Sequence, residues 1–428
     1  MGIDRSSRRR RRLAGSLLAT WAAAGLACSA GAPAPKDGVA SEASRLSLPA
    51  VPAAPAPLEL PREVPGPPLV VGLLGGPEAV RSRLVVFDDV RDARKGPRTL
   101  AEISHAEGWV PSVAIDPERR TAYASIVTRI ERPGALAALR SIDLGSGAET
   151  LLAAAVPPRQ AAIPDRRGGV VYVTHEAWEA APEGRGAMQL EQLRLLVARP
   201  REAPRVLISL TGYLLWPLFL GAGGGEVLVL IAAPGRSELA AVSLEGGGVR
   251  VLQRFGSDGP GSPSGREGPA SPARDPPSPE AVRDFHLEPG GRGVTYERAL
   301  GGGRYAVERI ELATATRTTL FEDAHPWLVP LPLTAGVLIA RTESATLGSL
   351  VLLGANGAKR ELALPPELGP AAPIPEAALG EHALVRLQGK ADQRYVVVRV
   401  GDAASETYRL ETGGLLLGSG ALLPRGAL

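Results

Sequence analysis

A unit of roughly forty-five residues recurs along this chain, and nothing else in the sequence restricts the fold as tightly. Each copy runs as an apolar strand, a turn of Pro, Gly or charged residues, a β-branched or aromatic strand, and two further strands. One copy reads WVPSVAIDPERRTAYASIV and then LRSIDLGSGAETLLAAA; a later one reads VRDFHLEPGGRGVTYERAL and then RYAVERIELATATRTTLFE. Six copies place Tyr123, Tyr172, Val229, Tyr296, Ile339 and Val385 at equivalent points of the second strand. Successive spacings are 49, 57, 67, 43 and 46 residues. The long interval holds a low-complexity stretch of about 24 residues, and without it the period falls within the ~40–50 of propeller blades. Four short antiparallel strands per repeat make one blade of an all-β propeller.

A partial copy precedes the first full one. LVVGLL, RLVVFDDV and RTLAEI, between Leu69 and Ile103, supply three strands and lack the innermost. An apolar tail, GLLLGSGALLP, follows the last copy and belongs to no repeat. The tail is expected to supply the missing strand and close the ring, because an open ring leaves strand edges exposed. The count is then seven blades, with six or eight also compatible with the spacing. Composition agrees: 51 Gly and 40 Pro favour turns and short strands. Aromatics are only 4%, so Ala, Val and Leu must fill the core.

Two low-complexity segments bound this domain. Residues 28–68 are rich in Pro and Ala, with ten prolines between Pro33 and Pro68. Their composition predicts a disordered tether of polyproline character. Residues 256–280, GSDGPGSPSGREGPASPARDPPSPE after Phe255, read as a disordered insert, because the repeat resumes beyond them. A linker between two domains is the other reading. The propeller is expected over 69–428.

The turns AIDPERRTAY, AIPDRRGGVVY and HLEPGGRGVTY, in the second, third and fifth blades, resemble the Pro-Asp-Gly turn of TolB-like propeller repeats. Asp and Gly of that pattern are often replaced here. The resemblance touches three blades and implies fold, not function.

The N-terminus has its own logic. A basic stretch, SSRRRRR, precedes the apolar run Leu13–Ala27 and then Cys28, the chain's single cysteine. The apolar run is shorter than the ~20 residues a membrane-spanning helix needs, and its length and flank fit a signal peptide over 1–27. Gly25-Leu26-Ala27-Cys28 resembles the lipobox of bacterial lipoproteins, although Leu stands one place late. That resemblance implies a lipidated Cys28 and a membrane anchor. It also implies a cell-envelope address, at the outer membrane or facing the periplasm. Ordinary secretion, with Cys28 incidental, is the alternative. Removing 1–27 takes the net charge from +3 to −2, because that stretch holds six arginines and one aspartate. The body is faintly acidic, which argues against nucleic acid as a partner.

The sequence contains no GxSxG, P-loop, GxGxxG or DxDxDG pattern, and His175-Glu176-Ala177-Trp178-Glu179 has Glu where HExxH needs its second His. His105, His175, His286, His325 and His382 fall at unlike points of the repeat, which disfavours a shared metal site on the axis. Trp109, Trp216 and Trp327 recur near the start of innermost strands. They read as packing between blades, with a stacking platform at the channel mouth as the other reading. Asp88-Asp89 and the loop Trp178–Arg185 read as solvated. The expectation is a monomeric, non-catalytic, cofactor-free binding or scaffold module for a protein or envelope component. The alternative is a propeller hydrolase or lyase acting on glycan or peptide.

Overall fold

A computed structural model describes residues 66–428, apart from 77–78, 93–94, 132–133, 159–161, 176–177, 180–188, 191, 212–213, 234–235, 257–281, 326, 391 and 402–403. The expected signal peptide, Cys28, nearly all of the 28–68 tether and the insert beyond Gly256 lie outside the described residues.

Seven antiparallel four-stranded sheets form a ring, a β-propeller. Blade 1 comprises β1 (Leu69–Gly75), β2 (Arg81–Phe87) and β3 (Arg98–Ser104). Blade 2 is β4 (Ser112–Asp116), β5 (Thr121–Glu131), β6 (Gly134–Asp143) and β7 (Glu149–Val156). Blade 3 is β8 (Ile163–Pro164), β9 (Val170–His175), β12 (Gln192–Ala198) and β13 (Arg205–Thr211). A small hairpin, β10 (Trp178–Glu179) with β11 (Gln189–Leu190), stands between its second and third strands. Blade 4 is β14 (Leu214–Leu220), β15 (Glu226–Ala233), β16 (Arg236–Ser243) and β17 (Val249–Gly256). Blade 5 is β18 (Val282–Leu287), β19 (Gly293–Gly301), β20 (Arg304–Glu311) and β21 (Thr316–Asp323). Blade 6 is β22 (Trp327–Leu333), β23 (Gly336–Ser344), β24 (Leu347–Gly354) and β25 (Lys359–Leu362). Blade 7 is β26 (Ala372–Leu379), β27 (His382–Gln388), β28 (Gln393–Val400) and β29 (Ser405–Leu410). The tail forms β30 (Leu416–Leu423), pairs with β1, and becomes the innermost strand of blade 1. The ring therefore closes with its two chain ends in one sheet, which removes the edge an open ring would expose.

The six equivalent positions of the repeat all lie on second strands. Three innermost strands repeat a further signal: Pro217, Pro330 and Pro375 stand opposite Val229, Ile339 and Val385. Proline has no N–H to donate, so it is confined to sheet edges. An innermost strand is such an edge, facing the channel.

Alternation along the middle strands sends one set of side chains to each neighbouring blade. The buried apolar residues consequently fall into seven groups, one per seam. The richest, between blades 6 and 7, holds sixteen, including Leu331, Leu338, Leu350, Val385 and Val396. The poorest, between blades 5 and 6, holds five: Val307, Phe321, Leu328, Ile339 and Leu353.

The strand order also makes the two faces unlike. Fourth strands end, and innermost strands begin, on what we term the upper face; first and third turns lie on the lower. Lower turns grip their neighbours. Arg119 donates to the Arg166 carbonyl at 3.2 Å, and Thr334 N–H donates to the Gly380 carbonyl at 3.0 Å. Gly291, at φ +66°, lies so close to Ala222 that a Cβ would come within 2.7 Å of its methyl. Arginines that begin fourth strands add a second clasp. Arg205, Arg250 and Arg360 donate to backbone carbonyls of the next blade's third turn, at Leu244 and Glu245, Leu312, and Gly401. The chain comes in at Gly66 on this lower face, where Arg425 ties Pro67 to the C-terminal segment.

Candidate functional site

Four innermost strands carry irregularities that break their register: β14 at Leu218, β18 between Arg283 and His286, β26 at Glu376, and β30 around Ser419. A bulge re-aims side chains, and bulges are enriched beside functional sites. Asp284 and Ser419 also sit at positive φ, +55° and +49°, where non-glycine residues are strained. Register shifts also occur in the outer strand pairs of five blades, so the bulges alone do not single out the channel wall. Burial pushes the Asp284 carboxyl up to about 6, with the Glu297 charge adding to the shift. Burial likewise raises Glu376, although Arg386 donates to it at 2.7 Å and offsets part of the effect. His286, buried by its neighbours, is pushed down to about 4.

A concentration of polar groups lies beside that wall, in the apolar-poor seam between blades 5 and 6. Glu297, in the middle of β19, is buried. It accepts two bonds from the Arg283 guanidinium, the Nη2 one at 2.8 Å. It also accepts the Leu328 N–H of blade 6 at 3.1 Å. Arg283 is held over the rings of Trp327 and Tyr305, at 5.2 and 5.8 Å from their centroids. Further out, Asp323 bonds His325 Nδ1 at 2.6 Å and pairs with Arg341 Nε at 3.1 Å. Burial alone would raise the Asp323 carboxyl, but the His325 bond and the Arg341 charge hold it below its ordinary value. Arg341 continues to Glu361 at 3.2 Å. The Lys359 ammonium lies 4.5 Å from the centre of the Phe321 ring. These groups border a cavity of about 310 Å³.

The cavity itself is not evidence of a ligand. A second, of about 320 Å³, occupies the corresponding outer groove between blades 1 and 2, lined by Glu102, Ile126, Thr128, Arg140 and Glu149. Such grooves follow from blades that splay apart with radius. Nor is the Asp323–His325 pair arranged as a base for a substrate. His325 Nε2 faces Arg341 Nη2 at 3.5 Å, so its free nitrogen meets a guanidinium. A Ser–His contact exists at the upper end of blade 1, Ser82 Oγ to His105 Nε2 at 2.8 Å. Both residues are buried, and His105 Nδ1 lies 2.9 Å from the Ala106 carbonyl. That pair ties a connection to its blade.

The sequence-derived candidates scatter. Trp109 packs in the seam between blades 2 and 3, and Trp327 packs on Arg283, as the packing reading expects. Trp216 departs from it, being 36% exposed. Among the described residues no group of three or more His, Cys, Asp or Glu is placed to hold a metal ion. Asp88 and Asp89 pair with Arg98 and with Lys95 and Arg425 on the lower face. Most of the Trp178–Arg185 loop lies outside the described residues. The polar seam itself was missed. Its available signal was a lone mid-strand carboxylate, Glu297, directly after the aromatic Tyr296 in GVTYERALG.

No family model matches the chain, and no curated protein matches it. Solved structures do. One is from a structural and mechanistic study of two prolyl endopeptidases: 12% identity, 80% of this chain and 50% of that one, TM-score 0.51. This chain therefore spans about half the length of that endopeptidase. TolB from Acinetobacter baumannii matches at 13% identity over 83% of both chains, with TM-score 0.43. Dipeptidyl peptidase 4 of Porphyromonas gingivalis matches at 10% identity, over 81% of this chain and 51% of that one, with TM-score 0.47. At such identities the likeness is one of fold.

Proposed function

We propose that this chain is an exported, membrane-anchored propeller, lipidated at Cys28, that binds a protein or envelope component through its upper face and does no chemistry of its own. The observation that carries this reading is the inequality of the two faces. The lower face is made mostly of short turns, several of them bonded to the next blade, and Gly66, which follows the Pro-rich segment read as a tether, lies there. The upper face carries the longest connections, including the attachment points of the 257–281 segment at Gly256 and Val282. It also carries the exposed Val80, Ile130 and Leu347, at 54, 58 and 45%, with Trp216 near the upper end of its strand. Leu151 and Val206, at 55 and 43%, are the exposed large apolar residues near lower strand ends, so the upper face holds four of the six among the described residues. An anchor below leaves the upper face free to meet a partner.

Two measurements test this. Palmitate labelling of the expressed chain should be abolished by Cys28→Ala; labelling that persists, or none in the parent, removes the anchor. Affinity capture from envelope extracts should lose its partner with Ile130→Glu and Leu347→Glu together, and keep it with Arg120→Glu on the lower face. Equal capture by both variants would remove the upper-face reading.

A further inference from the structure

We infer that the seam between blades 5 and 6 is a releasable latch, the one place where this ring parts while the other seams hold. The inference is independent of the binding reading above. Among the described residues this seam has the fewest buried apolar residues of the seven. What crosses it instead is polar. Glu297 of blade 5 accepts the Leu328 N–H of blade 6 at 3.1 Å. Arg283 lies over Trp327, Asp323 pairs with Arg341 at 3.1 Å, and Lys359 lies over Phe321.

This seam also does without the arginine clasp, as does the seam after blade 1, where Arg98 pairs with Asp88 of its own blade. In blades 3, 4 and 6 the arginine at the start of the fourth strand reaches the next blade's third turn. The corresponding Arg317 of blade 5 stands 3.8 Å from Glu308 of its own blade. Apolar contacts lose their energy only as water replaces them over the whole area. Ionic and hydrogen-bonded ties can be exchanged one at a time for water or for a partner's groups, and breaking a buried one leaves an uncompensated charge. By contrast, the neighbouring seam between blades 4 and 5 is filled by the stacked Phe285 and Tyr296 rings with Phe255 at their edges. It also keeps the Arg250 clasp.

Native-state hydrogen exchange of the full chain, read by mass spectrometry, tests the latch. In the parent, amides of β22 should exchange about ten-fold faster than those of β30, with no loss of the global fold. Asp323→Asn should widen that difference at β22 and β23 alone. Replacing the pair by apolar residues, Arg283→Met with Glu297→Leu, should slow β22 toward the other innermost strands. Exchange that rises evenly round the ring, or first release at β17 or at β30, would overturn the latch. So would faster β22 exchange in a folded Arg283→Met, Glu297→Leu double variant.

Discussion

Asp284 and His286, two residues apart on one channel strand, pull stability in opposite directions with pH. The Asp284 carboxyl has its folded value raised to about 6. The fold therefore binds that proton more tightly than the unfolded chain, and this group adds stability as pH falls through 6 toward the ordinary carboxylate value. His286 is the reverse case. Its folded value is depressed to about 4, so the stability of its neutral form is complete above the ordinary imidazole value and is lost as pH falls from there toward 4. Asp284→Asn, which tolerates the left-handed backbone, should raise the melting temperature at pH near 7.5 and change it little at pH near 4. The gain is trimmed by screening, since 35% of the side chain is open to channel water. His286→Gln should flatten the acid loss. Thermal melts across this range check both signs. A lower melting temperature for Asp284→Asn at neutral pH would contradict the first, and an unchanged acid profile for His286→Gln the second. None of this was legible in the chain, because a bulge depends on how two strands register rather than on either strand's own pattern. Val282–Leu287 looks like an ordinary strand until it is laid against β19.

At the scale of the element, what was legible is what alternation controls. Tyr123, Tyr172 and Tyr296 announced second strands because an aromatic between apolar neighbours has few other uses in a chain with so few rings. The tail announced closure because Leu416–Leu423 had no partner in its own repeat. Mid-strand carboxylates were harder. Glu297 and Glu308 look like residues of a solvated face, and only the ring places them inward. There Glu308 accepts the Tyr296 hydroxyl at 2.6 Å and Arg298 Nη2 at 2.6 Å. Burial, and then the bond to Glu308, raise the Tyr296 phenol. Tyr296→Phe should cost about 1–3 kcal/mol, the penalty for a buried acceptor that loses a donor. In the closing strand, Leu417 is 2% exposed against β1 and blade 7. Leu417→Ala should cost about 2–5 kcal/mol. Denaturant melts of the two variants measure both losses, and a neutral result for Leu417→Ala would mean that β30 is not packed as described.

At the scale of the whole molecule, the account is a ring whose seams are unequal and whose faces are unequal, both consequences of one closure. Because β30 comes from the far end of the chain, Gly66 and the end of β30 both lie on the lower face, and most of the long connections lie on the upper one. The repeat made the ring legible. It could not show which seam would be polar, because Asp323, Arg341 and Glu361 belong to different strands and meet only when two blades stack. Closure itself is open to a direct measurement. Val71 and Ala421 stand opposite each other across β1 and β30, within the reach of a disulfide between facing strands. In a chain freed of its own cysteine by Cys28→Ala, Val71→Cys with Ala421→Cys should oxidise to one intramolecular bond. That bond should raise stability by roughly 2–4 kcal/mol. Free thiols in the folded protein, or bonds only between molecules, would show that the ring is not closed by its C-terminal strand.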